Sequence, residues 1–388
     1  MSSESRIPPG SPSASPNGFF HDLADTVIKT ITLLAILYIF FVAIKLMGGS
    51  AKGMGKVLAT EFLNQGTSSA LLGLLLGVFT TSLVQSSSTV TSMVVGLVAG
   101  GAFSLEIAIP IIMGANIGTT VTNTIVSLGH VHHREEFRRA FAAGTVHDIF
   151  NIMAVIIIFP LEQMTHFLQR MATWMTGHLM GQEFGKFDGI KHIVDPAIHL
   201  IKDLIPHDGF RLLFALILLL STLTFLVKFM RSIMENRLAR MIDSVLFKNA
   251  GTSMAMGIIF TVLVQSSSVT TSLVVPLVGA GILTVKQIFP YTLGSNVGTT
   301  ITALMAALVF AATGSEPDAS RAALTAALVH TLFNISGIVL LYPFRALPIN
   351  LAKRLASISA ASRKNTILVI LGYFGIYLIP LALLLLLR

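Results

Sequence analysis

Between Phe62 and Leu105 the chain runs for 44 residues without a single Asp, Glu, Lys or Arg. An α-helix crosses about 30 Å of hydrocarbon in about 20 apolar residues. The stretch is therefore too long for one span, and it is interrupted midway by Gln85-Ser86-Ser87-Ser88. Other apolar runs of span length flank it, and only 11% of the whole chain is charged, against about 25% in soluble domains. With 53% hydrophobic residues and a mean hydropathy of +0.80, the chain reads as an all-α integral membrane protein.

The interruption recurs. At an offset of 180, residues 85–122 and 265–302 align without a gap and 18 of 38 positions are identical. After a three-residue slip, His147 and Asn151 align with His330 and Asn334. This is an internal duplication. Each copy holds a Gln-Ser-Ser-Ser segment, 85–88 and 265–268, and a glycine-flanked polar segment, 114–120 and 294–300. Three membrane crossings are predicted between the two Gln-Ser-Ser-Ser segments, and an odd number inverts the second copy relative to the first. Whether each uncharged run dips in and returns or crosses twice, the parity is the same.

The reading divides the chain into a disordered tail (1–22), a first transmembrane repeat (23–160), a polar linker (161–208), a second, inverted repeat (209–345) and a basic connector with a final helix (346–388). One side collects Arg134, Arg138, Arg139, Arg231, Arg345, Lys353, Arg354, Arg363 and Lys364. The richer side is expected to be cytoplasmic, with the N-terminus inside, although Lys45, Lys52 and Lys56 run against the trend. The net charge of +8 lies in such short loop clusters, which argues against nucleic-acid binding. Without cysteine no disulfide or thiolate metal site can form. No signal peptide is read at the N-terminus, because the first apolar run has full span length.

Hydrocarbon cannot solvate free backbone N–H and C=O groups, so a polar break at membrane depth survives only inside protein or beside a cavity. Helices of about 67–84 and 89–103 would carry Gln85–Ser88 deep into the bilayer as the tip of a re-entrant hairpin. Such a tip has unpaired carbonyls on its incoming helix, which attract a cation. Unpaired N–H groups on its outgoing helix attract an anion. The glycine-flanked segments are expected to unwind similarly, so that four breaks converge between inverted repeats, the pattern of secondary transporters. No Lys or Arg lies near these breaks. A bound anion must rely on hydroxyls, amides, helix termini and a co-bound cation, which fits phosphate beside sodium. The candidate phosphate ligands are Gln85, Ser86, Ser87, Ser88, Asn116, Thr119, Thr120, Gln265, Ser266, Ser267, Ser268 and Asn296. The candidate sodium ligands are Gln265 and Ser266 with Ser295, Thr299 and Thr302, which share one helix face at i, i+4, i+7. Thr122, the counterpart of Thr302, joins them. For Asn116 and Asn296, helix capping and ligand binding both stand as readings.

At these residues the sequence resembles the type II sodium–phosphate cotransporter family. The resemblance rests on Gln85–Ser88 with Thr91-Ser92, on Pro110 through Thr122, on Phe137–Phe141 leading to Val146-His147-Asp148, and on the repeats of these motifs through Gln265–Ser268, Gly294–Thr302 and His330–Asn334. It implies sodium-coupled symport of inorganic phosphate, with both serine-rich tips and the adjoining broken helices forming the sites. Animal members carry a large cysteine-containing loop between the halves. The 161–208 linker lacks cysteine, which suits a bacterial inner membrane. No cofactor is expected beyond sodium as the coupling ion.

Two other readings compete. The same scaffold could carry another oxyanion or a small carboxylate. An intramembrane serine hydrolase would use Ser87 or Ser267 as nucleophile and His147 or His330 as base. Its duplicated candidates in inverted halves count against a single active site. His147 and His330 more often serve structure in such a setting than proton relay, and His130, His132 and His133 read as a solvated loop rather than a metal site.

Overall fold

The computed structural model describes residues 16–64, 70–180, 191–241 and 249–386. Among these residues every regular element is a helix. The expected tail at 1–15 lies outside the described residues, and α1 (Pro16–Asn64) already begins inside the range assigned to it. Six helices among the described residues are long and apolar enough to cross a membrane: Ala24–Met54, Leu105–Leu128, Arg134–Thr165, Asp208–Met230, Val285–Ala312 and Pro317–Leu341. The final helix, α16 (Arg363–Leu386), has 24 residues.

The uncharged runs do not cross. In the first repeat α2 (Ala70–Val84) and α3 (Ser87–Ala99) have 15 and 13 residues. They extend about 22 and about 20 Å, short of a bilayer's hydrocarbon core. They meet at Gln85 and form a re-entrant hairpin. Its counterpart is α10 (Ala250–Val264), followed by α11 (Ser267–Ser272) and α12 (Val274–Gly279). Pro276 has no N–H to offer the carbonyl four residues back, which accounts for the break at Leu273. Three spanning helices separate the tips, so the second hairpin is inverted.

The polar segments at 114–120 and 294–300 behave differently from each other. In the first repeat α4 (Leu105–Gly118) stops at Thr119-Thr120 and α5 (Val121–Leu128) resumes the span. In the second, α13 (Val285–Ala312) runs through Gly294–Thr300 uninterrupted. The expected fourth break is absent. The glycines serve close approach of two backbones rather than unwinding. A Cβ at Gly77 would collide with the Ile111 carbonyl, and one at Gly114 with that of Leu74, where α2 packs on α4. In the second repeat a Cβ at Gly257 would strike Tyr291 O, and one at Gly294 would strike Met254 O, where α10 packs on α13.

Each hairpin packs on the opposite repeat as well as its own. α3 lies against α13 and α14 (Pro317–Leu341), while α11 and α12 lie against α5, and α12 also lies against α6 (Arg134–Thr165). The linker holds two further helices, α7 (Phe167–Leu179) and α8 (Lys191–Leu204), which are too short to span. The chain then returns through α9 (Asp208–Met241). Leu168, Ala172 and Thr176 form the buried face of α7, and Thr176 meets Thr325 of α14 at 3.0 Å. α15 (Ala346–Ser359) buries Ile349, Ala352 and Ala356 against the protein and leaves Leu347, Leu351 and Ile358 exposed.

The charged residues sort by side. Arg134 donates to the carbonyls of Ala360 at 2.5 Å and Ala361 at 2.6 Å, capping the end of α15. Arg139 donates to Gly279 O at 2.8 Å. The start of α6, the end of the second hairpin and α15 therefore share one basic face. Lys45, on the other side, lies 2.5 Å from Asp195 and donates to Thr313 O at 3.0 Å. It is paired with an acid and with the end of α13, so its charge does not argue for an interior loop.

Candidate functional site

Gln85 and Gln265 sit at the two tips with φ of 57° and 58°, the left-handed region that side chains other than glycine rarely adopt. Ordered contacts hold each there. Oε1 of Gln85 accepts from Thr122 at 2.7 Å, and Oε1 of Gln265 accepts from Thr302 at 2.7 Å. Their amide groups turn back onto the incoming helices, Gln85 to Ser82 O and Gln265 to Val262 O. Ser86 and Ser266 cap the outgoing helices, each accepting from a backbone N–H three residues on at 3.3 Å.

The next serines differ. Ser87, Ser88 and Ser267 are buried to 3%, 4% and 4% exposure, yet their hydroxyls make no hydrogen bond among the described residues. Ser268 reaches across the repeats to Thr119 O at 3.3 Å, and Thr271 reaches Asn123 Oδ1 at 3.0 Å. The second tip thus closes on the Thr119-Thr120 interruption of the first repeat.

The sodium candidates lie around α10 and α13. Ser295 Oγ meets Thr261 Oγ1 at 2.5 Å, one turn before Gln265. Thr299 donates to Ser295 O at 2.9 Å. Thr302, as above, holds Gln265. These residues gather on the α13 face that meets the second tip, joined there by Thr261, which the sequence pattern did not single out. The first repeat keeps Thr122 and Thr119 but has Ala115 where the second has Ser295.

Asn116 and Asn296 belong to a chain of buried amides and imidazoles between the repeats. His147 Nε2 lies 2.5 Å from Asn296 Oδ1, and Asn296 donates to Asn151 at 2.7 Å. Asn151 donates to Asn116 O at 2.8 Å, and His330 Nε2 lies 3.4 Å from Asn116 Oδ1. Asn116 also donates to Ile112 O at 3.1 Å. Both asparagine side chains are thus engaged by protein. Neither histidine is bonded to a serine among the described residues, so the nucleophile–base pairs a serine hydrolase would need are not formed there. Thr119 and Thr120 donate to Ala115 O and Ile117 O at 3.0 and 2.9 Å. His130 lies 3.3 Å from Glu136, and no group of three metal-ligating side chains occurs among the described residues.

One buried acid escaped the sequence argument. Asp148, 1% exposed, accepts from Tyr373 at 2.5 Å and from Thr124 at 3.3 Å, while Oδ1 has no partner. An acidic residue inside an apolar span is rare enough to single out from sequence. Its partner Tyr373 lies 225 positions away, which no local pattern could supply.

These features define a polytopic membrane protein with two inverted re-entrant hairpins whose buried, uncharged, hydroxyl-rich tips each pack against the opposite repeat. The profile of the Na+/Pi-cotransporter family matches residues 39–181 and 218–384, and the chain belongs to that family. It is 33% identical over 451 residues to sodium-dependent phosphate transport protein 2B of Homo sapiens, covering 91% of this chain and 64% of the relative. To sodium-dependent phosphate transport protein 2A of Ovis aries it is 33% identical over 430 residues, covering 90% of this chain and 66% of the relative. With the 2A protein of Rattus norvegicus the identity is 32%, covering 90% of this chain and 66% of the relative. The chain therefore spans just under two thirds of the length of these curated relatives. No solved structure matches.

Proposed function

We propose that this protein is a symporter that couples sodium entry to uptake of inorganic phosphate by alternating access. The observation that carries the reading is the trio Ser87, Ser88 and Ser267: serines at the two tips, 3%, 4% and 4% exposed, whose hydroxyls are hydrogen-bonded to no described residue. Phosphate, rich in acceptor oxygens, takes hydrogen bonds from these hydroxyls and from the free N–H groups at the start of α3. Ser86, Ser266 and Ser268 shape the two tips. Asn116, Thr119, Thr120 and Asn296 act in this reading chiefly by holding them in register. Sodium binds at Gln265, Ser266, Ser295, Thr299 and Thr302, a set of oxygen donors suited to a hard cation, and Thr122 with Gln85 marks the related position in the first repeat.

No lysine or arginine lies at the tips, so a phosphate anion there lacks a fixed counter-charge. Sodium binding first supplies positive charge in a medium of low dielectric, where it counts for more than in water, and raises phosphate affinity. One inverted half then moves against the other to change access. The names of the relatives support this reading, and charge asymmetry supports a cytoplasmic position for the basic face.

Equilibrium binding of labelled phosphate to the purified protein tests the coupling. Affinity should be much higher in sodium than in choline medium, and equal affinity in both would remove the proposal. Competition with arsenate, sulfate and dicarboxylates decides the substrate; displacement of phosphate by a dicarboxylate but not by arsenate would favour a carboxylate carrier.

A further inference from the structure

A basic cavity lies away from the serine tips. On the basic face, Arg138 and Arg139 of α6, Gly281 and Thr284 of the α12–α13 turn, and Lys353 of α15 line a cavity of about 310 Å³. Among the described residues no acidic side chain lines it. Arg138 shares its charge with Glu135, to which it donates at 2.7 Å, whereas neither Arg139 nor Lys353 has an acidic partner among the described residues. The Arg139 guanidinium is aimed rather than loose. Its Nε is tied to Gly279 O at 2.8 Å, and it lies against Gly281, whose φ of 80° a residue with a side chain would adopt only under strain. Like charges gathered in one cavity repel, and a multiply charged anion relieves that repulsion while accepting several hydrogen bonds.

We propose that this cavity binds a phosphate group, through Arg139 and Lys353 with Arg138 at its rim. The source is either inorganic phosphate or the headgroup of an anionic phospholipid. Leu347, Leu351 and Ile358 on the exposed side of α15 keep lipid within reach, and basic pockets of this kind between membrane helices take lipid headgroups. The site does not depend on what the serine tips carry.

The test uses the full-length protein in neutral detergent and sodium-free choline medium. It is titrated with labelled inorganic phosphate and, separately, with short-chain phosphatidylglycerol, with bound lipid read by native mass spectrometry. The wild type should bind one of the two probes, and Lys353→Gln or Arg139→Gln should weaken that binding about tenfold, the scale of a lost charge-assisted hydrogen bond. The double variant Arg139→Lys/Lys353→Arg, which keeps both charges, should retain it and serves as the folding control. Loss of phosphatidylglycerol binding identifies a lipid headgroup; loss of phosphate binding identifies a free anion. If the wild type binds neither probe, or if both glutamine variants bind as tightly as the wild type, the proposal is wrong.

Discussion

Thr302 donates a hydrogen bond to Oε1 of Gln265 at 2.7 Å, and Thr122 makes the same bond to Gln85 at the same distance in the inverted repeat. Each bond ties a spanning helix to the tip of the hairpin beside it. Any movement of a hairpin relative to its own α5 or α13 must stretch it. The pair therefore links the geometry of the ligand-bearing tips to the packing of the membrane helices.

Removing one hydroxyl separates the two copies. Thr302→Ala deletes a neutral hydrogen bond worth about 1 kcal/mol and a proposed sodium ligand. The sodium concentration for half-maximal phosphate uptake should rise about fivefold or more. Thr122→Ala should shift it less, because Ala115 replaces the hydroxyl that Ser295 supplies in the second repeat. A sodium titration of uptake by the two variants checks the order.

The left-handed backbone at Gln265 gives a test in which stability and function part. Gln265→Gly removes a conformational cost of about 1 kcal/mol together with the amide that Thr302 holds. Thermal unfolding in detergent should change little, while sodium-driven uptake should be lost. Normal uptake by this variant would show that the side chain is dispensable.

Close packing of α10 on α13 predicts a stability effect at a position with no ligand role. Gly294→Ala drives a methyl group into the Met254 carbonyl, and overpacking of this kind costs about 1–3 kcal/mol. Its unfolding midpoint should fall clearly. Gly372→Ala, where a Cβ meets nothing within 4 Å, should leave the midpoint unchanged.

The bond between His147 and Asn296 joins the repeats at depth. In a double-mutant cycle of His147→Ala and Asn296→Ala, the combined loss of stability should be smaller than the sum by about 0.5–3 kcal/mol, the range for residues in one network. Strict additivity, read from unfolding in detergent, would mean that the contact carries no coupling.

The duplication, the membrane class, the hairpins and the parity were all legible in the sequence, because each is written in local composition: charge-free runs, a recurring Gln-Ser-Ser-Ser, span lengths. The glycines misled. Gly294 and Gly298 read as a place to unwind, but they lie in close contact with α10 on a segment that stays helical, and no local signal separates the two uses of glycine. The partnerships of Asn116 with His330 and Asn296 with His147 were likewise out of reach. They span 214 and 149 positions and depend on how the inverted halves dock.

The central claim is that buried, uncharged tips hold phosphate only when sodium is present. Uptake of labelled phosphate into proteoliposomes containing the purified full chain measures this most directly. An inward sodium gradient should drive accumulation above the external concentration, and replacing sodium with choline on both sides should abolish it. Equal phosphate entry in choline and in sodium would contradict the account.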